Sequence, residues 1–147
     1  MPGNRAPGTL PAVRLGISVD LPAVSAIQQA CPEAAQWAIA DYLDQEFLVA
    51  IVGNSVVGFV VFRRIAEDER EILNLAVAPD FRRKGVATAL LNASVHGFRG
   101  AVFLEVRQSN TAAIQFYKLL NFKVITMRAD YYHSPSEAAI VMKFHSC

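Results

Sequence analysis

Apolar and polar positions along the chain change period often enough to mark its elements. VRLGISV, residues 13–19, reads as a short strand. Asp20 then stands as an N-cap with Pro22 in the first turn, which opens a helix from Leu21 to Ala30. Cys31-Pro32 interrupts it, and AAQWAIADYL reads as a second short helix carrying Trp37 and Tyr42. EFLVAIV and VVGFVVFRRI are two β-rich runs joined by Gly53-Asn54-Ser55, a strong hairpin signal. The polar turn AEDER leads to EILNLAVA, so the three runs predict an antiparallel meander. Pro79-Asp80 ends the third run, and a helix begins near Gly85 with Val86, Leu90 and Leu91 on one face. Gly97 and Gly100 bracket a turn before the strand AVFLEVRQ. Ser109-Asn110 caps the helix TAAIQFYKLL, and FKVITMRADYY and EAAIVMKF are strands joined across Ser134-Pro135-Ser136.

The predicted order is β-α-α-β-β-β-α-β-α-β-β, a single α/β (α+β) domain over residues 12–147. Residues 1–11, with Pro2, Pro7 and Pro11 among Gly3 and Gly8, read as a flexible leader. An apolar content of 53% with 18% charged residues gives a chain of 147 residues enough mass for a core and excludes a disordered one. A net charge of +1 supplies no general drive toward nucleic acid or an acidic membrane, so an anionic ligand needs a local site. Cys31 and Cys147 with scattered His96, His133 and His145 suggest neither a disulfide framework nor a metal site. The N-terminus lacks the apolar run of a signal peptide, and the stretch from Phe47 to Phe62 is too short and too broken to span a bilayer. A cytoplasmic monomer or weak homodimer is the expectation.

Asp80-Phe81-Arg82-Arg83-Lys84-Gly85-Val86-Ala87-Thr88 falls where a strand ends and a helix starts. Helix N-termini offer unpaired N–H groups and partial positive charge to a phosphate. Three adjacent cations add to that field, and Gly85 permits close backbone approach. The alternative is a solvated basic loop. Arg82-x-x-Gly85-x-Ala87 resembles the R/Q-x-x-G-x-G/A pattern with which the GNAT superfamily of N-acetyltransferases holds the pyrophosphate of acetyl-CoA, and the element order is similar to that fold from residue 13 to 145. The resemblance implies acetyl-CoA contacts at Arg82, Arg83, Lys84, Gly85, Val86, Ala87 and Thr88. It implies further that the fourth and fifth strands splay apart, with Leu75, Ala76 and Val77 pairing with the acetyl-pantetheine arm and one N–H polarising the thioester carbonyl.

Alternation in VFLEVRQ puts Val102, Leu104 and Val106 on one face and Phe103, Glu105 and Arg107 on the other. A carboxylate in so apolar a strand is either paired with an arginine or a candidate general base. Tyr117, mid-helix, reads by spacing as a core aromatic. SNTAAIQFYKLLNF, however, resembles the segment S-N-x-A-A-I-x-x-Y-x-x-x-G-F of the bacterial ribosomal-protein-alanine N-acetyltransferase family and its archaeal N-terminal acetyltransferase relatives. That resemblance implies Glu105 as base and Tyr117 as the acid that protonates the departing thiolate. It adds Asn110 and Ala113 as cofactor contacts, and Tyr131 or Tyr132 beside the acceptor. Glu71 and Asn74, on the fourth strand, are rival acceptor-side residues, since many GNAT enzymes take their base there.

The sequence departs from the family in three places. Asn121 replaces a Gly, Cys31-Pro32-Glu33 replaces a Phe-Pro-Trp-like turn, and SVHGFRG is short. The resemblance implies direct acetyl transfer from acetyl-CoA to a protein N-terminal α-amine, without a metal. The alternatives are a lysine or small-amine acetyltransferase, or a non-catalytic acyl-CoA-binding module.

Overall fold

The computed structural model describes residues 11–133 and 136–146, with the side chains of Asp130, Tyr132, His133 and Ser136 excepted. The expected leader, apart from Pro11, lies outside the described residues, as do Ser134 and Pro135 of the last turn. Seven strands are present: β1 (Ala12–Leu15), β2 (Glu46–Val52), β3 (Ser55–Ala66), β4 (Glu69–Val77), β5 (Gly100–Arg107), β6 (Lys123–His133) and β7 (Ser136–Ser146). The α-helices are α1 (Leu21–Ala30), α2 (Val86–Val95) and α3 (Thr111–Leu119). The strands form one mixed sheet in the order β1-β2-β3-β4-β5-β7-β6.

Three local expectations change. β1 is shorter than the apolar run because the chain leaves the sheet at Gly16. Its N–H still bonds the Phe47 carbonyl at 2.8 Å, but any Cβ there would overlap the Phe47 ring. Asp20 does stand at the start of α1, yet its buried carboxylate turns back to accept the Ile17 N–H (2.8 Å) and to pair with Arg14. It therefore caps the preceding 3-10 turn, Ser18–Asp20, rather than α1. The second helix is a 3-10 helix over Ile39–Asp44 only. Upstream of it the carbonyls of Ala35 and Trp37 accept from the side chains of Asn74 and Gln28, both at 2.8 Å. An α-helix starting at Ala34 would need those carbonyls for its own amides.

The described residues divide into two compact units: those within 1–62 and 74–96, and those within 63–73 and 97–147. In the first, β1 and β2 pair antiparallel from Ala12–Ile51 to Leu15–Leu48, and β2 pairs antiparallel with β3 through the Gly53–Asn54 turn. Val49, Ala50, Phe59, Val60 and Val61 are fully buried, and α2 adds Val86, Leu90 and Leu91 to that core. Each of these valine, leucine and phenylalanine side chains contributes about 1.5–3 kcal/mol. A Cβ on Gly58 would come within 3.1 Å of Val86, Leu90 and the Ala76 carbonyl, so a glycine lets α2 lie close on β3.

In the second unit β5 pairs antiparallel with β7, and β7 with β6. Val102, Leu104 and Val106 are buried while Phe103, Glu105 and Arg107 are partly exposed, as the alternation predicts. Phe122, Phe144 and Tyr117 pack rings beneath. The parallel pairing of β4 with β5 runs from Glu69–Ala101 to Ile72–Leu104 only, although β4 continues to Val77 and β5 to Arg107. Asn121 takes the left-handed conformation at φ 73°, the geometry for which Asn is the best substitute for Gly.

Candidate active site

The turn after β4 is built as its sequence suggests. Pro79–Phe81 form a 3-10 turn, Arg82 is extended, Arg83 is left-handed at φ 61°, and Gly85 is left-handed at φ 82° at the head of α2. No heavy atom lies within 4 Å of a Cβ built on Gly85, so its backbone angle, rather than crowding, calls for glycine. The first intrahelical bond runs from Ala89 N–H to Gly85 O at 3.0 Å, so the amides of Val86, Ala87 and Thr88 precede the ladder. Arg83, Lys84 and Gly85 are exposed, whereas the Val86 side chain is core and has only its amide to offer a ligand.

Arg82 is turned elsewhere. Its Nη2 donates to Glu33 Oε1 at 2.8 Å and to the buried Cys31 sulfur at 3.1 Å, and its Nε reaches the Val77 carbonyl at 3.4 Å. The Cys31 thiol donates to that same carbonyl, also at 3.4 Å. Backbone groups at the end of β4 are thus already engaged, for the Leu75 N–H bonds Asn74 Oδ1 at 3.0 Å. The Ala76 and Val77 side chains are buried.

Asn74, expected on the acceptor side, is held in a buried hydrogen-bond network. Its Nδ2 donates to Ala35 O (2.8 Å), Tyr42 Oη (3.0 Å) and Gln28 Oε1 (3.3 Å). Tyr42 in turn donates to Gln28 Oε1 at 2.6 Å, and burial pushes its phenol up to about 12. This network fastens the chain between α1 and β2.

In the second unit the charges sort into pairs. Glu71 accepts from Arg63 at 2.7 Å, and Glu105 Oε1 accepts from Arg128 Nη1 at 2.7 Å. Arg107 Nη1 donates to Glu137 Oε1 at 3.0 Å, and the Ser109 N–H donates to the other oxygen at the same distance. Strand register sets Glu71 beside Phe103, Glu105 beside Val141, and Arg128 beside Ala139. Glu105 is the first β5 residue past the last parallel pair with β4. The ion pair foreseen as one reading of Glu105 is therefore present, and it engages one oxygen of the two.

Tyr117 is buried in α3, its ring edge-on to Phe116 and Phe122. Burial raises its pKa well above the usual phenol range. Among the described residues its hydroxyl has no hydrogen-bond partner. Asn110 caps α3, its Oδ1 accepting the Ala113 N–H at 3.2 Å, so these two candidate cofactor contacts engage each other. The Tyr131 ring lies 4.2 Å below the Arg128 guanidinium carbon, whereas the Tyr132 side chain lies outside the described part of the structure.

The profile of the "Acetyltransferase (GNAT) family" matches residues 20–122. The chain belongs to this family. It is 32% identical over 134 residues to the [Ribosomal protein bS18]-alanine N-acetyltransferase of Escherichia coli K12, covering 85% of this chain and 90% of that protein. It is 35% identical over 113 residues to the N-alpha-acetyltransferase of Saccharolobus solfataricus, covering 66% and 68%. The crystal structure of Ard1 from Thermoplasma volcanium superposes with a TM-score of 0.85 at 33% identity, over 93% of this chain and 98% of that one.

Within this GNAT chain, the sequence does not reveal the partners of the candidate site residues. No local pattern joins Arg82 to Glu33, or Glu105 to Arg128, because each pair is closed by tertiary structure. The one available signal for Arg128 was its unexplained charge in a strand beside Tyr131. Among the described residues no helix is long and apolar enough to cross a membrane.

Proposed function

We propose that this chain transfers the acetyl group of acetyl-CoA to the α-amine of a protein N-terminus, with alanine as the first residue of the acceptor, in the cytoplasm. The reading is supported by the N-alpha- and alanine N-acetyltransferase relatives, and carried by Glu105. That residue is a carboxylate flanked by Leu104 and Val106 in its strand, one position past the end of the β4–β5 pairing, with Oε2 uncommitted among the described residues.

The turn fits a pyrophosphate through two exposed cations, Arg83 and Lys84, and the leading amides of α2. Arg82 joins them by exchanging Glu33 for phosphate. The backbone of Leu75, Ala76 and Val77 pairs with the pantetheine arm. For the Leu75 amide to take part it must release Asn74 Oδ1. Acetyl-CoA supplies the thioester whose carbon the amine attacks and whose sulfur leaves.

Glu105 accepts a proton from the acceptor ammonium, directly or through water, and frees the nitrogen lone pair. Tyr117, held in its neutral form by burial, gives its hydroxyl proton to the sulfur as the carbon–sulfur bond breaks. The phenolate recovers a proton from the newly acylated nitrogen, and Glu105 returns its own to solvent. The products are the N-acetyl peptide and free CoA thiol, with no net gain or loss of protons beyond the one the ammonium brought. Tyr131 lines the acceptor side, and Glu71 is the second carboxylate there. An α-amine titrates near about 8 and a lysine near about 10.4, so a carboxylate base is asked to do less for an N-terminus.

The experiment is mass spectrometry of two peptides after incubation with the protein and acetyl-CoA. One starts with free alanine and lacks lysine; the other is N-terminally blocked and contains lysine. Modification of the first alone is expected. Modification of the second alone makes the chain a lysine acetyltransferase, and modification of neither removes both peptide-acceptor readings.

A further inference from the structure

We infer that Arg128 is a positioning residue of the transfer reaction. It fixes one oxygen of Glu105 and leaves the other for the acceptor amine, while holding the Tyr131 ring beside it. The inference rests on the reading of Glu105 as the base.

The register explains why this arginine, and not its neighbour, meets Glu105. Arg107, Ala139 and Arg128 form one row across β5, β7 and β6, while Glu105, Val141 and Thr126 form the next. Two arginines thus flank a small, fully buried alanine. Arg107 is drawn to Glu137, which is further held by the Ser109 amide and hydroxyl. Arg128 consequently reaches diagonally over β7 to Glu105, where Nη1 meets Oε1 at 2.7 Å.

A second contact fixes the guanidinium from the other side. The β6–β7 register shifts between Arg128–Ala139 and Tyr132–Glu137, so residues 129–131 stand against Ala138 alone. That bulge brings the Tyr131 ring to 4.2 Å from the guanidinium carbon, a cation–π distance. Bulges re-aim side chains in this way. Glu71, paired with Arg63, adds its negative field to that of Glu105 on Arg128. The Arg128 side chain is 52% exposed, and so exposed an ion pair adds little to folding. A purely structural role would therefore leave almost no trace when Arg128 is changed, whereas a positioning role appears in turnover.

The test uses R128M, R128K, E105Q and the R128M/E105Q double variant of the full chain. Turnover is measured with the alanine peptide, acetyl-CoA affinity by calorimetry, and folding by thermal melting. R128M is expected to lower kcat on the order of tenfold to a hundredfold, with acetyl-CoA affinity unchanged. R128K restores part of the loss but not all, since one ammonium cannot reproduce the planar fork. In the E105Q background, R128M is expected to cost no more than about twofold, because its effect passes through Glu105. Wild-type turnover by R128M beside a crippled E105Q overturns the role of Arg128 alone. An undiminished R128M effect in the E105Q background overturns it too. Wild-type turnover by E105Q is a separate result: it removes Glu105 as base and this inference with it. Should R128M fail to fold, R128K decides, and wild-type kcat and KM in that variant count against the proposal.

Discussion

The guanidinium of Arg82 meets the carboxylate of Glu33 at 2.8 Å and, through the same nitrogen, the buried sulfur of Cys31 at 3.1 Å. The arginine that the glycine-basic turn offers to a pyrophosphate is thereby tied to the segment after α1. On the proposed reading, a phosphate that takes Arg82 Nη2 displaces Glu33, and the displaced carboxylate remains nearby as a like charge.

Replacing Glu33 by Gln is therefore expected to tighten acetyl-CoA binding. Both partners are exposed, with side chains at 47% and 42%, so the gain is small. An exposed pair worth up to about 1 kcal/mol corresponds to at most about a fivefold fall in Kd. Calorimetric titration of the wild type and E33Q at low and high salt measures it. The difference should shrink at high salt as the charges are screened. Equal affinities at low salt would mean that Arg82 does not hold the pyrophosphate.

Tyr117→Phe removes one hydroxyl and keeps the ring that packs edge-on to Phe116 and Phe122. The lost hydroxyl has no partner among the described residues, so no buried group is orphaned and the melting temperature should hold. Loss of a proton donor is expected to slow turnover by about a hundredfold or more. Acetyl-CoA affinity should stay at the wild-type value. Rapid-quench kinetics with the alanine peptide checks the rate, and an unchanged rate would remove Tyr117 as the acid.

What the sequence made legible was what short-range geometry decides. The period-2 pattern of Val102, Leu104 and Val106 against Phe103, Glu105 and Arg107 survives in the structure because a strand's faces follow from its own pleat. Asn121 is legible from its residue type because a left-handed backbone selects few side chains, whereas the left-handed angle of Gly85 comes from the structure, its sequence suggesting only close backbone approach. The run at residues 34–43 reads as one short helix, but only Ile39–Asp44 is helical, because Asn74 and Gln28 claim the carbonyls of Ala35 and Trp37 and nothing nearby in sequence announces that. Asp20 holds the N-cap position its sequence suggests, but its carboxylate is spent on Arg14 and the Ile17 amide rather than on the amides of α1, for the same kind of reason. Glu105 was legible as an unusual carboxylate. Arg128, which decides how that carboxylate is held, was not, because its approach depends on a bulge and on the Arg107–Glu137 pair.

Asp20 also gives a prediction for stability in acid. Hydrogen bonds from Arg14 depress its pKa first, and the Ile17 amide adds to this against the cost of burial. A carboxylate whose folded-state pKa lies below its unfolded value of about 3.9 contributes fully above that value. The contribution is lost as pH falls through the folded-state pKa. Asp20→Asn should therefore cost about 1–3 kcal/mol at neutral pH, the worth of hydrogen bonds to a charged group. The gap from wild type should narrow in acid. Urea unfolding of both proteins at pH 7 and near pH 3 checks this, and a gap independent of pH would show that the carboxylate's charge is not what Arg14 and Ile17 recognise.

Tyr42 provides the opposite case, at alkaline pH. Its hydroxyl donates to Gln28 at 2.6 Å and accepts from Asn74 at 3.0 Å, in a core where the ring is 1% exposed. Tyr42→Phe leaves the ring contact with Phe59 but takes one partner from each amide. The expected cost is about 1–3 kcal/mol at neutral pH. Burial pushes the phenol up to about 12, so the folded chain binds this proton more tightly than the unfolded chain, whose phenols titrate near about 10. The wild type should keep this contribution below about pH 10 and lose it as pH rises toward the folded value, while Y42F lacks that dependence. Because Asn74 Nδ2 also holds the Ala35 carbonyl, Y42F should loosen residues 31–38 before the rest. Hydrogen exchange resolves the two effects. Faster exchange confined to that segment is the expected result, and uniform acceleration across both units would mean that the network supports the whole core rather than the segment it binds.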